Sequence, residues 1–163
     1  MSTFTLFSND LGGQATQVQE FHGFGCSGQN ISPHMGWKHA PSGTKSFAVT
    51  CYDKDAPTGS GFWHWLVFNI PASCHELPTS AGNSDSGLLP EGAVQSITDY
   101  GICGYGGPCP PEGHGWHQYL FTVFALDTDR LDIDPNTSPA VVGFNLNAHT
   151  IEKASLVMYY KRG

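Results

Sequence analysis

The sequence predicts a mostly β, antiparallel fold with one or two short helices. Three stretches, residues 46–52 (SFAVTCY), 64–70 (HWLVFNI) and 119–126 (YLFTVFAL), are rich in β-branched and aromatic residues and bounded by Gly and Pro. With 20 Gly and 11 Pro in 163 residues, the chain is punctuated too often for long helices. Only residues 138–149 carry a helix start, with Ser138 as N-cap, Pro139 at the first helical position and apolar Val141, Val142 and Leu146 behind them.

The elements follow in chain order. Weaker strand patterns lie at residues 4–7 and 154–161. Residues 64–70 and 119–126 are apolar on both alternating faces, which predicts central strands covered on two sides. Residues 74–107 hold Gly82, Gly87, Pro90, Gly92 and Gly101 and only a hint of strand at 93–97. A loop region this long in a small domain is expected to wall a site.

The length suits one domain spanning residues 1–163, and no repeat or linker divides it. The net charge of −7, with seven scattered Lys and Arg, argues against nucleic acid and against an acidic membrane surface as partners. MSTFTLFSND has neither a basic segment nor a long apolar one, and no stretch approaches the roughly 20 apolar residues of a membrane span. A soluble, cytoplasmic protein is the expectation. Its five cysteines are odd in number and lack CxxC spacing, which predicts free thiols in a reducing compartment.

Three segments carry residues capable of chemistry. Asp53 and Asp55 alternate at the end of the first strong strand, so they share a face if the strand stays extended. Pro57 follows, and Ala56–Pro57 is a candidate cis peptide in a tight turn. His64 comes next, after the glycine-bearing turn at 58–61. In residues 104–119 (GYGGPCPPEGHGWHQY), glycines and prolines shape a loop whose N–H groups can form an anion-accepting nest. His117 and Tyr119 alternate at its end, and His114 lies farther back. Each of these taken singly has an ordinary structural role: a turn aspartate, a core histidine, a loop glycine.

Together they form longer patterns. CYDKDAPTGSGFWHWLVFNIPA resembles the first signature of the phosphatidylethanolamine-binding (Raf kinase inhibitor-like) protein family, and GYGGPCPPEGHGWHQYLFTVFALD resembles the second. NISPHMGW, SGTKSFAVT and VGFNLNAHTI extend the likeness over almost the whole chain, in the bacterial YbhB/YbcL-type branch. The resemblance implies a β-sandwich around a large antiparallel sheet, with a small pocket for phosphate or other oxyanions. It assigns the pocket to Asp53, Asp55, Pro57, His64, Gly107, Pro108, His117 and Tyr119, the H-x-Y spacing selecting His117 over His114. Lys54 stands where many members have proline. The chain ends at Gly163 without the additional C-terminal helix of animal members, so kinase inhibition is not carried over.

The expected activity is binding of a small anionic ligand, such as phosphate or a phosphorylated headgroup, without catalysis, metal or cofactor. Two Asp and two His also suit the alternative of an enzyme acting on a phosphorylated small molecule through a metal or an acid/base pair. A cysteine nucleophile at Cys109 is disfavoured by its flanking prolines. A partner-binding role toward a kinase or protease is a third class, and bacterial members suggest a homodimer.

Overall fold

A computed structural model describes residues 2–163. In chain order its elements are β1 (Thr5–Phe7), β2 (Met35–Lys38), β3 (Ser46–Asp53), β4 (Phe62–Pro71), β5 (Glu76–Leu77), β6 (Val94–Gln95), β7 (His117–Leu126), α1 (Pro139–His149) and β8 (Thr150–Tyr160). A five-stranded sheet runs β6-β4-β3-β7-β8 and a three-stranded sheet runs β1-β2-β5. Every pairing within both sheets is antiparallel.

The doubly apolar strands occupy the middle of the large sheet, and the alternation of β3 shows why. Phe47, Val49 and Cys51 point into a core shared with Phe4, Leu6, Met35 and Trp37 from the small-sheet side. Ala48 points the other way, into a second core where Leu66, Phe68 and Phe124 meet Val142 and Leu146 of α1. Fully buried side chains such as Trp65, Phe68 and Phe121 each contribute roughly 1.5–3 kcal/mol by leaving water. A sheet with apolar residues on both faces needs a cover on each, and the small sheet and α1 supply one each.

The strands expected at 46–52, 64–70 and 119–126 are present and extend by one to three residues at one or both ends. The final strand begins earlier than its apolar pattern, at Thr150, because it pairs with β7 along nearly its full length. Ser138 does cap α1 in an extended conformation, but its side chain makes no capping hydrogen bond. Val141, grouped above with the inward residues, is exposed at 47%.

Two expectations are corrected. All peptide bonds among the described residues are trans, Ala56–Pro57 included; the turn after β3 redirects the chain without a cis bond. Cys26 and Cys109 are not free thiols: folding brings these residues, 83 apart in sequence, together in a disulfide. A reducing compartment therefore no longer follows from the cysteine content. Cys51, Cys74 and Cys103 remain unpaired.

Candidate anion-binding site

The site forms where three strands end at one edge of the large sheet. Asp53, the last residue of β3, is opposite Phe62 of β4 on one side and Tyr119 of β7 on the other. The two-residue period of a strand then brings His64 and His117 to the same rim. Asp53, His64, His117 and Tyr119 are all buried, at 2%, 3%, 1% and 1% exposure.

These four residues line a pocket of ≈ 180 Å³, together with Pro57, Phe62 and Tyr100. Phe24, Cys109, Pro110 and Pro111 close the outer wall. Two loops make that wall, and the disulfide joins them. Arg162 reinforces the junction by donating from Nε to the Pro110 carbonyl at 2.7 Å. No Lys or Arg is among the residues lining the pocket.

Asp53 is held from two sides. Its Oδ1 accepts the Asp55 N–H at 2.8 Å, and its Oδ2 accepts from His117 Nδ1 at 2.7 Å. The second nitrogen of His117 is also engaged, since Nε2 lies 2.6 Å from Nδ1 of His114. His64 donates from Nδ1 to the Gly106 carbonyl at 2.8 Å. In the neutral ring this leaves Nε2 as an acceptor.

Asp55 lies elsewhere. β3 has ended, the turn rotates the side chain away, and its Oδ2 accepts the Gln118 N–H at 2.9 Å while Oδ1 pairs with Lys54. The Lys54 ammonium, followed by the Gln118 N–H, holds the Asp55 carboxyl below the usual carboxylate range. Asp55 is not among the lining residues; it ties the turn after β3 to the start of β7.

Gly107 and Pro108 also stand behind the pocket rather than in it. The expected nest is not free at Gly107, because its N–H donates to Asn30 Oδ1 at 2.7 Å. A Cβ on Gly107 would meet the Gln19 carbonyl oxygen at 1.8 Å, so close approach of two backbones explains the glycine. The Pro108 carbonyl accepts the Phe21 N–H at 3.0 Å, joining the same two loops.

Several contributors escaped the sequence reading. Tyr100 comes from the long 74–107 region, stacks on Phe21 with ring centroids 3.9 Å apart, and donates to the Gly107 carbonyl at 2.8 Å. Phe24 reaches the pocket from a loop whose sequence carries no motif, and nothing local marks it. Asn30 does lie inside the noted NISPHMGW segment, which is the signal that marks it.

Burial sets the protonation of these groups. It lowers the His64 pKa below its ordinary value of 6.5, although the Gly106 carbonyl and Asp53 act in the opposite direction. It pushes the Tyr119 and Tyr100 hydroxyls far up, so both remain O–H donors. The Cys51 thiol, raised first by burial and then by Asp53, stays protonated beneath the site. Among the described residues, no three His, Cys, Asp or Glu side chains converge to hold a metal ion.

This geometry can be set beside known proteins. The family model described as phosphatidylethanolamine-binding protein matches residues 12–161. The chain belongs to the phosphatidylethanolamine-binding protein family. It is 50% identical to the UPF0098 protein YbcL of Escherichia coli K12 over 162 residues, covering 98% of this chain and 88% of that one. It is equally 50% identical to the UPF0098 protein YbhB of the same organism over 159 residues, covering 95% and 98%. The crystal structure of E. coli YbcL, described as a member of the mammalian PEBP family, superposes with a TM-score of 0.96 at 49% identity, covering 99% of this chain and 100% of that one. The phosphatidylethanolamine-binding fold is thus the one this chain adopts, and among its described helices none is long and apolar enough to cross a membrane.

Proposed function

We propose that this member of the phosphatidylethanolamine-binding protein family is a non-catalytic binding protein that holds a small, phosphate-type oxyanion in the pocket at Asp53, His64, His117 and Tyr119. The observation that carries the reading is the mixed polarity of that pocket. A phenol O–H that burial keeps protonated shares the pocket with the Asp53 carboxylate and with His64, whose Nε2 is free to accept.

A bare dianion fits this set poorly, since Asp53 repels it and no Lys or Arg lines the pocket. A singly protonated phosphate monoester fits well. Its P–O–H donates to Asp53 or His64, and its remaining oxygens accept from Tyr119. The volume of ≈ 180 Å³ lies below the roughly 300–1,000 Å³ of sites for drug-sized ligands, which favours a headgroup over a nucleotide. A phosphorylated peptide of a protein partner, such as a kinase or protease, would present the same group to the pocket.

The test is a two-dimensional amide NMR titration with phosphoethanolamine at about pH 6, near the second phosphate pKa, where a large share of its phosphate is singly protonated. Saturable shifts at Gly107, His117 and Tyr119 that disappear in His64→Ala support the reading. A wild-type spectrum that does not move at saturating phosphoethanolamine overturns it.

A further inference from the structure

His114 was passed over by the H-x-Y spacing, yet it is bonded into the site. Reading the hydrogens along the chain fixes every role. An ionised Asp53 only accepts, so His117 Nδ1, 2.7 Å away, carries a hydrogen. A neutral His117 then has a lone pair on Nε2, so His114 Nδ1, 2.6 Å away, carries the next. The open position left on this chain is Nε2 of His114, which is an exposed residue. Asp53 and His117 reach only the pocket and are almost wholly buried, so the exposed His114 is where this chain meets bulk solvent.

We propose that Asp53, His117 and His114 act as one proton-binding unit, and that the pocket takes up a proton through His114 as it takes its anion. This rests on the oxyanion reading above. A proton from bulk water adds to His114 Nε2 while the N–H···N and N–H···O bonds stay in place. No covalent bond is made or broken among heavy atoms, and the charge of the three groups rises from −1 to 0. The repulsion that Asp53 exerts on an entering anion is thereby cancelled inside the protein.

The surrounding charges leave this task to His114. On β4, His64 Nδ1 is committed to the Gly106 carbonyl, and burial disfavours a proton on its free Nε2. Tyr119, Tyr100 and Tyr160, the last opposite His117 in register, are neutral phenols, with Tyr160 pushed up to about 12 chiefly by burial. Lys54 pairs with Asp55, and Arg162 with Glu112 at 3.6 Å. Glu20 is held by the Tyr160 hydroxyl and the Ser27 N–H, and Lys161 lies over the Trp116 ring 5.0 Å from its centroid.

The experiment uses methanesulfonate, whose charge does not change with pH, so that any coupled proton belongs to the protein. Affinity is read from amide shifts between about pH 6 and about pH 8 in wild type and in His114→Gln, and ring tautomers are read from imidazole ¹⁵N shifts. The expected wild-type result is an affinity that falls as pH rises, by at most about tenfold per pH unit, the slope for one linked proton. His114→Gln should still bind but with a flattened slope, and wild-type His114 and His117 should both be Nδ1–H tautomers. Binding with an unchanged slope in His114→Gln, or an Nε2–H tautomer at His117, overturns the proposal while leaving the oxyanion reading intact. If methanesulfonate, which lacks a P–O–H, gives no shifts, the same pH series is read with phosphoethanolamine after correction for its own phosphate titration, and a wild-type slope equal to that of His114→Gln overturns the uptake. No shifts with either ligand locate the fault in the oxyanion reading itself.

Discussion

His117 Nδ1 lies 2.7 Å from Asp53 Oδ2, with the two side chains only 2% and 3% exposed. Neighbouring strands enforce the pair: Asp53 stands opposite Tyr119 in register, and His117 is two residues earlier on the same face. Removing one partner leaves the other buried without its bond. Asp53→Ala is therefore expected to destabilise the fold by about 1–3 kcal/mol, and Asp53→Asn, whose amide oxygen still accepts from His117, by less. Urea unfolding of both variants measures this, and an Asp53→Ala midpoint equal to wild type would refute the pairing.

The Cys26–Cys109 bridge closes a loop of 83 residues, which is worth about 2–4 kcal/mol in typical cases. A Cys26→Ser, Cys109→Ser double variant should melt below the oxidised protein and match reduced wild type. Intact-mass measurement after alkylation without reductant should count three reactive thiols, at Cys51, Cys74 and Cys103, once the protein is unfolded. Five alkylated thiols would show that the bridge does not form.

Gly107→Ala places a methyl group against the Gln19 carbonyl oxygen, where only 1.8 Å is available. The two loops of the pocket wall must separate to admit it, at a cost of about 1–3 kcal/mol or more. Both the melting temperature and phosphoethanolamine affinity should drop. A variant that keeps both would show that the loops do not need this close approach.

Tyr119→Phe removes one O–H and leaves the ring in place. Binding of phosphoethanolamine should weaken by about 1.5–3 kcal/mol, the scale of a hydrogen bond to a charged group, with a much smaller change in stability. Equal affinity in calorimetry would exclude the hydroxyl as a ligand donor.

Because burial lowers the His64 pKa from 6.5, the folded protein resists protonation there more than the unfolded chain does. Between 6.5 and the lowered folded value the unfolded state binds more protons, so stability from this group is full above 6.5 and declines as pH falls through that window. The melting temperature of ligand-free protein should decrease from about pH 7.5 to about pH 5.5, and less so in His64→Gln. An identical pH slope in the two proteins would count against a buried neutral His64.

The amino-acid sequence by itself determined the main strands, the single helix and the identity of the central residues Asp53, His64, His117 and Tyr119. Those features are local: side-chain periodicity of two, a proline at a helix start, and long motifs whose residues alternate at strand ends. It also named Asp55 and Gly107 through the same motifs, but their placement depends on what packs against them. The turn after β3 sends Asp55 to Gln118, and the segment between β1 and β2 brings Gln19 and Asn30 against Gly107. The disulfide, the aromatic wall of Phe24 and Tyr100, and the bond from His117 to His114 were decided only by tertiary structure. Each joins groups whose meeting depends on the paths of loops around the sheet, and a loop path is set by long-range packing that no local pattern encodes.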